Sequence, residues 1–177
     1  EISGLEPVRL TLTYPPRFRE RNLEGYSIND STSTVGGVLA DGKGRVHALW
    51  VSYSTGHGKD MRQFFVGIPI ERVIEIVEPL RNGNFVNWRS LGVELGPVNI
   101  ADARDRGLSD VRAARIEAKM PSAARVLSVV RQSFDSPARK LLEEGDLLLE
   151  IDGKSITAYP QIERASQAAL VKLRILR

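Results

Sequence analysis

The chain has 177 residues, 42% hydrophobic and 27% charged, enough for one domain or two small ones with ordinary cores. Its 25 Lys and Arg are scattered among 22 Asp and Glu for a formal charge of +3, and only 6% of residues are aromatic, which argues against a nucleic-acid footprint. No apolar run approaches the ~18 residues needed to cross a bilayer, and the lack of cysteine excludes a disulfide framework and thiolate zinc sites. The chain opens on Glu1 with no charged-then-apolar leader, as expected of a piece cut from a longer protein.

From Pro7 to Tyr14, Val8, Leu10, Leu12 and Tyr14 alternate with Arg9, Thr11 and Thr13, the period of a half-buried strand. Pro15 and Pro16 end it, because neither can donate to a ladder. Strands are expected again over Val35–Leu39 and Arg45–Tyr53, joined by an Asp41-Gly42-Lys43-Gly44 turn whose glycines allow positive φ. A loop over 54–58 leads to a strand over 63–67. After Pro69 the period changes. Ile70, Val73, Ile74, Val77 and Leu80 fall at helical spacing, with Glu71, Arg72, Glu75 and Glu78 on the other face. Strands closed by one helix and a glycine turn place a first domain over 1–82 and a second over 88–177.

In the second half, LGVELG (Leu91–Gly96) reads as a short strand with a glycine near its start, followed by a polar Asp/Arg-rich stretch. Alternation predicts a strand over 111–118, and an apolar run predicts another over 125–130. Ser136-Pro137 is a helix-start signal, so a helix holding Ala138, Leu141 and Leu142 is expected up to Gly145. A strand pair around Asp152-Gly153, a helix over 159–169 and a last strand over 171–175 complete the reading.

These residues resemble part of a known family. Gly36-Gly37 with the strand through Trp50, the FVGIPIERVIEIVEPLRNG passage, and then RSLGVEL, DSPARKLLEEGDLLLEIDGKSIT and VKLRIL are similar to the C-terminal region of HtrA/Deg-type serine proteases. The resemblance implies a mainly β chain: a partial, degenerate trypsin-like β-barrel with a closing helix, then one PDZ domain, β-sandwich-like with two helices. It also implies a test of catalysis. In the family the nucleophile serine directly precedes the Gly-Gly pair, and here that place holds Val35. Valine has neither a proton to give nor a lone pair to attack with, so no catalytic residue is assigned. Ser33 and Thr34 are not expected to substitute, because a one-residue slip in an extended segment turns a side chain to the opposite face. His47, on an alternating strand, reads as a structural residue, and His57, between glycines, as a solvent loop.

Other chemistry finds little support. The GKS at Gly153–Ser155 would need a glycine where Leu148 stands to make a phosphate loop. The two histidines have no companion ligand pattern, so no metal or cofactor is expected. Glu143, Glu144 and Asp146 read as an acidic surface.

A binding site is better supported. The resemblance implies that Ser90-Leu91-Gly92-Val93 is the loop whose backbone N–H groups receive a peptide's free carboxylate. Glu94 and Leu95 would pair with the peptide as an added strand. Ile162 and Ala165 would face its apolar last side chain, and Arg89 would steady the carboxylate through water. The first expectation is therefore recognition of peptides or proteins with apolar C-termini, regulatory or scaffolding, beside an inactive protease-like remnant. Other protease domains of a parent protein and a second copy of the chain are further expected partners, without nucleic acid or a membrane span. The alternatives are a fragment of an active quality-control endopeptidase with catalytic residues upstream, and a structural module whose groove is closed. A periplasmic or other extracytoplasmic location is implied by resemblance only.

Overall fold

The period-2 segments of the first half pair into one antiparallel sheet. The structure is a computed structural model that describes residues 2–8, 18, 20, 22–28, 36–56, 58–120 and 124–177. Its strands are β1 (Ile2–Pro7), β2 (Glu24–Ile28), β3 (Val38–Ala40), β4 (Val46–Thr55) and β5 (Arg62–Pro69), in the sheet order β1-β2-β5-β4-β3. Among the described residues this sheet is open, and no closed barrel forms. Its longest ladder runs from Ala48 opposite Pro69 to Thr55 opposite Arg62. Cross-strand aromatics reinforce it: Tyr53 stacks on Phe64 at 5.6 Å and Trp50 on Phe65 at 6.1 Å between ring centroids.

The turn between β3 and β4 is tied by Asp41, whose Oδ1 accepts from the backbone N–H of Lys43 (2.9 Å) and Arg45 (3.0 Å). The Arg45 backbone bond first, and then its guanidinium, hold the Asp41 carboxyl down to about 2. Pro69 precedes α1 (Ile70–Arg81), and the expected amphipathic spacing is there. Yet α1 has no fully buried residue: Ile70 and Val73 are half-buried, while Ile74, Val77 and Leu80 are exposed.

The second half forms a separate sheet, ordered β10-β8-β7-β6, from β6 (Val93–Asn99), β7 (Arg125–Gln132), β8 (Leu147–Ile151) and β10 (Leu173–Leu176), with β9 (Lys154–Ser155) beside β8. Three helices join it: α2 (Ile100–Asp105), α3 (Asp110–Lys119) and α4 (Tyr159–Ala165). Side chains alternate across a strand, and β8 divides accordingly from Leu147 to Leu149. Leu148 joins Val93, Leu95, Leu127, Val129, Tyr159 and Ile162 in one cluster. Leu147 and Leu149 join Val98, Ile100, Ala103, Ala113, Ile116 and Val126 in another. The protein is mainly β, with two antiparallel sheets.

Several expectations need correction. Residues 111–118 are helical, not a strand. Ser109 is extended before the helix, Asp110 lies in its first turn, and Ala113 and Ile116, three apart, make the buried face. The period-2 reading followed the wrong pair of residues. No helix forms over 136–145. Ser136 Oγ accepts from Ala138 N (3.1 Å) but donates to Leu91 O (2.6 Å), and the chain continues in short turns such as Arg139 N to Ser136 O. The hydroxyl is used to tie down another loop. The helix expected over 159–169 ends at Ala165, where Ser166 Oγ and the Gln167 amide take the carbonyls of Ile162 and Glu163. The strand expected over 7–14 lies mostly outside the described residues, as do Ser33, Thr34, Val35 and His57.

The chain divides into two compact units, Glu1–Pro15 with Leu23–Asn87, and Pro16–Asn22 with Trp88–Arg177. The second unit therefore includes a short piece from the first half of the sequence. Among the described residues no helix is long and apolar enough to cross a membrane.

Candidate functional site

The groove expected around Ser90–Val93 begins at a sheet edge. Within its sheet β6 pairs with β7 only, so its other edge is not used by a described strand. Backbone groups of alternate residues face the same edge, and here Val93 O and Leu95 N share one partner on the side away from β7. Glu94 lies between them, opposite Arg131 of β7.

The loop before β6 is held from behind. Leu91 O accepts from Ser136 Oγ at 2.6 Å and Gly92 O from Ser133 N at 2.8 Å. Gly92 has φ +64°, a left-handed conformation that disfavours side chains, and a Cβ there would stand 3.0 Å from Ser136 Cα. Gly92 is therefore required on two counts: backbone angle and close approach. Its own N–H donates to Ser90 Oγ at 2.8 Å.

Ile162 of α4 is only 3% exposed and belongs to the core, so it underlies the groove more than it faces it. Ala165 and Leu91 are half-buried and pack on the same cluster. Tyr159, also in α4, donates its hydroxyl to Leu95 O at 3.2 Å. Arg89 is positioned through its backbone: its N–H donates to Gln167 Oε1 (3.0 Å) and its carbonyl accepts from Gln167 Nε2 (2.9 Å). Gln167 thus clamps the stretch before the loop to the end of α4.

Sequence reasoning missed four of these residues. Ser136, Gln167 and Tyr159 serve the loop and edge, and Asn22 is the partner shared by Val93 and Leu95. Asn22 Nδ2 donates to Val93 O and its Oδ1 accepts from Leu95 N, each at 2.8 Å. Asn22 Nδ2 also donates to Glu20 Oε1 at 3.1 Å, and the other Glu20 oxygen accepts from Ser90 Oγ. No local pattern marks an asparagine 71 residues from its partner.

Two other expectations change. His47 is exposed on β4, with Nε2 3.4 Å from Asp41 Oδ2, and is not a buried structural residue. Asp146 is not acidic surface but buried, at 1% exposure. It accepts from Arg177 Nε and a terminal guanidinium nitrogen, each at 2.8 Å, and from Glu143 N at 2.8 Å. The Arg177 bonds hold its carboxyl below the usual carboxylate range against the opposing cost of burial.

A glycine loop, a sheet edge and a short helix in this order, on a sheet with a core on each face, define a PDZ-type domain. No family profile matches the chain. It is 32% identical over 171 residues to Protease Do-like 7 of Arabidopsis thaliana, covering 86% of this chain and 16% of that protein. It is 30% identical over 167 residues to PDZ domain-containing protein C23G3.12c of Schizosaccharomyces pombe, covering 92% of this chain and 16% of the relative. A solved structure of the HtrA-type protease AlgW with a decapeptide matches at 19% identity and TM-score 0.45, over 80% of this chain and 41% of that one. The chain is similar to a C-terminal region of HtrA-like proteases, with a PDZ domain. It spans about a sixth of the length of the curated relatives it matches.

Proposed function

We propose that this chain recognises the free C-termini of peptides or proteins at the β6 edge, and that its protease-like first unit contributes no catalysis of its own. The observation that carries the reading is the outward pair Val93 O and Leu95 N beside the Gly92 turn. These are the acceptor and donor that an added antiparallel strand needs, next to a loop able to turn N–H groups toward a carboxylate. The half-buried Leu91 and Ala165 favour an apolar last residue. In the first unit, Val35 stands where the family's nucleophile would be, which supports a regulatory or scaffolding part.

Fluorescence anisotropy with labelled peptides ending in an apolar residue tests the binding. Free-acid peptides should bind and their C-terminal amides should not, and Gly92→Val should abolish the binding. Equal binding of acid and amide would refute carboxylate recognition. For the first unit, incubation with an unfolded protein substrate should give no hydrolysis, and no labelling by a serine-directed fluorophosphonate.

A further inference from the structure

Asn22 is 8% exposed, and its single carboxamide meets two neighbouring outward groups of β6 as the peptide group of an added strand would: its N–H donates to Val93 O and its C=O accepts from Leu95 N. The imitation extends to the loop. Glu20 places a carboxylate on Ser90 Oγ, and Ser90 Oγ accepts the Gly92 N–H. A carboxylate of the chain itself thus stands one hydroxyl away from the backbone donor that a ligand's carboxylate would seek. Asn22 joins the two halves by also donating to Glu20 Oε1.

We infer that Glu20 and Asn22 form a built-in competitor of the peptide ligand, so that the groove is closed by its own chain until that segment leaves β6. The inference rests on the proposed recognition of C-termini. It differs from simple structural use of Asn22 in one respect, because the groups Asn22 occupies are those the ligand needs. Peptide and segment cannot hold Val93 O and Leu95 N together. Two hydrogen bonds of ordinary net strength favour the closed form by roughly tenfold, and the apparent peptide affinity falls by about the same factor. Weakening the segment should therefore tighten binding, the reverse of what loss of a ligand-contacting residue does.

The test uses the 177-residue chain and a fluorescein-labelled decapeptide with a free carboxylate and a C-terminal valine, its amide serving as control. Asn22→Ala combined with Glu20→Gln should tighten the free-acid peptide about tenfold and leave the amide without binding. Unchanged or weaker affinity in that variant would overturn the inference, and recognition itself would stand if wild type still bound acid over amide and Gly92→Val abolished it. No acid-dependent binding by either protein would overturn both. Should the variant fold poorly, the side-chain amide resonances of Asn22 in the wild type decide. They should move to free-amide positions as peptide saturates, and failure to move at saturation would sink the inference.

Discussion

The two units handle apolar residues in opposite ways. In the second, Leu127, Leu147 and Leu148 are almost fully enclosed, and two clusters form on a sheet whose strands alternate between them. In the first, Val8, Ala48, Trp50 and Val66 are buried but only Ala48 is fully enclosed, while Ile74, Ile76, Val77 and Leu80 of α1 are exposed. Both halves carry the correct periodic pattern, so the pattern itself does not decide burial. A helix stripe becomes a core only where another element covers it.

The contrast breaks most visibly at Leu148. Leu148→Ala should destabilise the second unit by about 2–5 kcal/mol, read from its urea midpoint, because a fully enclosed side chain leaves a cavity. A loss below about 1 kcal/mol would mean the clusters are loosely packed. The first unit is predicted to be most sensitive in its sheet, not in its helix. At Gly67 a Cβ would meet Leu39 Cδ1 at 2.8 Å and the Cβ atoms of Ala48 and Tyr26 at 3.2 and 3.3 Å. Gly67→Ala should then cost about 1–3 kcal/mol by overpacking, followed by the fluorescence of buried Trp50.

Arg177→Ala sharpens the contrast by removing the partner of a buried charge at the end of the second unit. Because Arg177 is half exposed and solvent screens the pair, the expected loss is smaller than at Leu148, and it should depend on pH. The folded Asp146 carboxyl titrates below its unfolded value of 3.8, so its contribution is complete above that value and is lost as pH falls through the lowered one. Urea midpoints measured from neutral pH down into the range where carboxylates protonate should fall more steeply in wild type than in Arg177→Ala. Ile76→Ala on α1 should change stability by less than about 0.5 kcal/mol, since that side chain is already in solvent. A large loss there would show that α1 is covered in solution.

Much of the architecture could be read locally. The Asp41–Gly44 turn, the long β4–β5 ladder and the change of period at Pro69 each depend on neighbours in sequence, where proline and glycine restrict or free the backbone. The Ser90–Val93 loop was legible through its resemblance to a family motif, and Gly92 does adopt the positive φ that makes glycine necessary there. The missed elements share another cause. Residues 111–118 satisfy a period of two and a period of three at once, and only packing of Ala113 and Ile116 selects the helix. Ser136 signals a helix start, but Leu91 O competes for its hydroxyl and wins.

The sequence by itself determined the strands on either side of the Asp41–Gly44 turn, the helix that follows Pro69, the sites of the turns and the glycine loop ahead of β6. Those properties follow from covalent geometry and side-chain chemistry at single positions. Only the tertiary structure decided that α1 stays exposed, that Asp146 is a buried partner of Arg177, and that Asn22 lies on the β6 edge. Each of these depends on which distant group wins a limited donor, acceptor or apolar surface, and that competition is settled by folding rather than by local pattern.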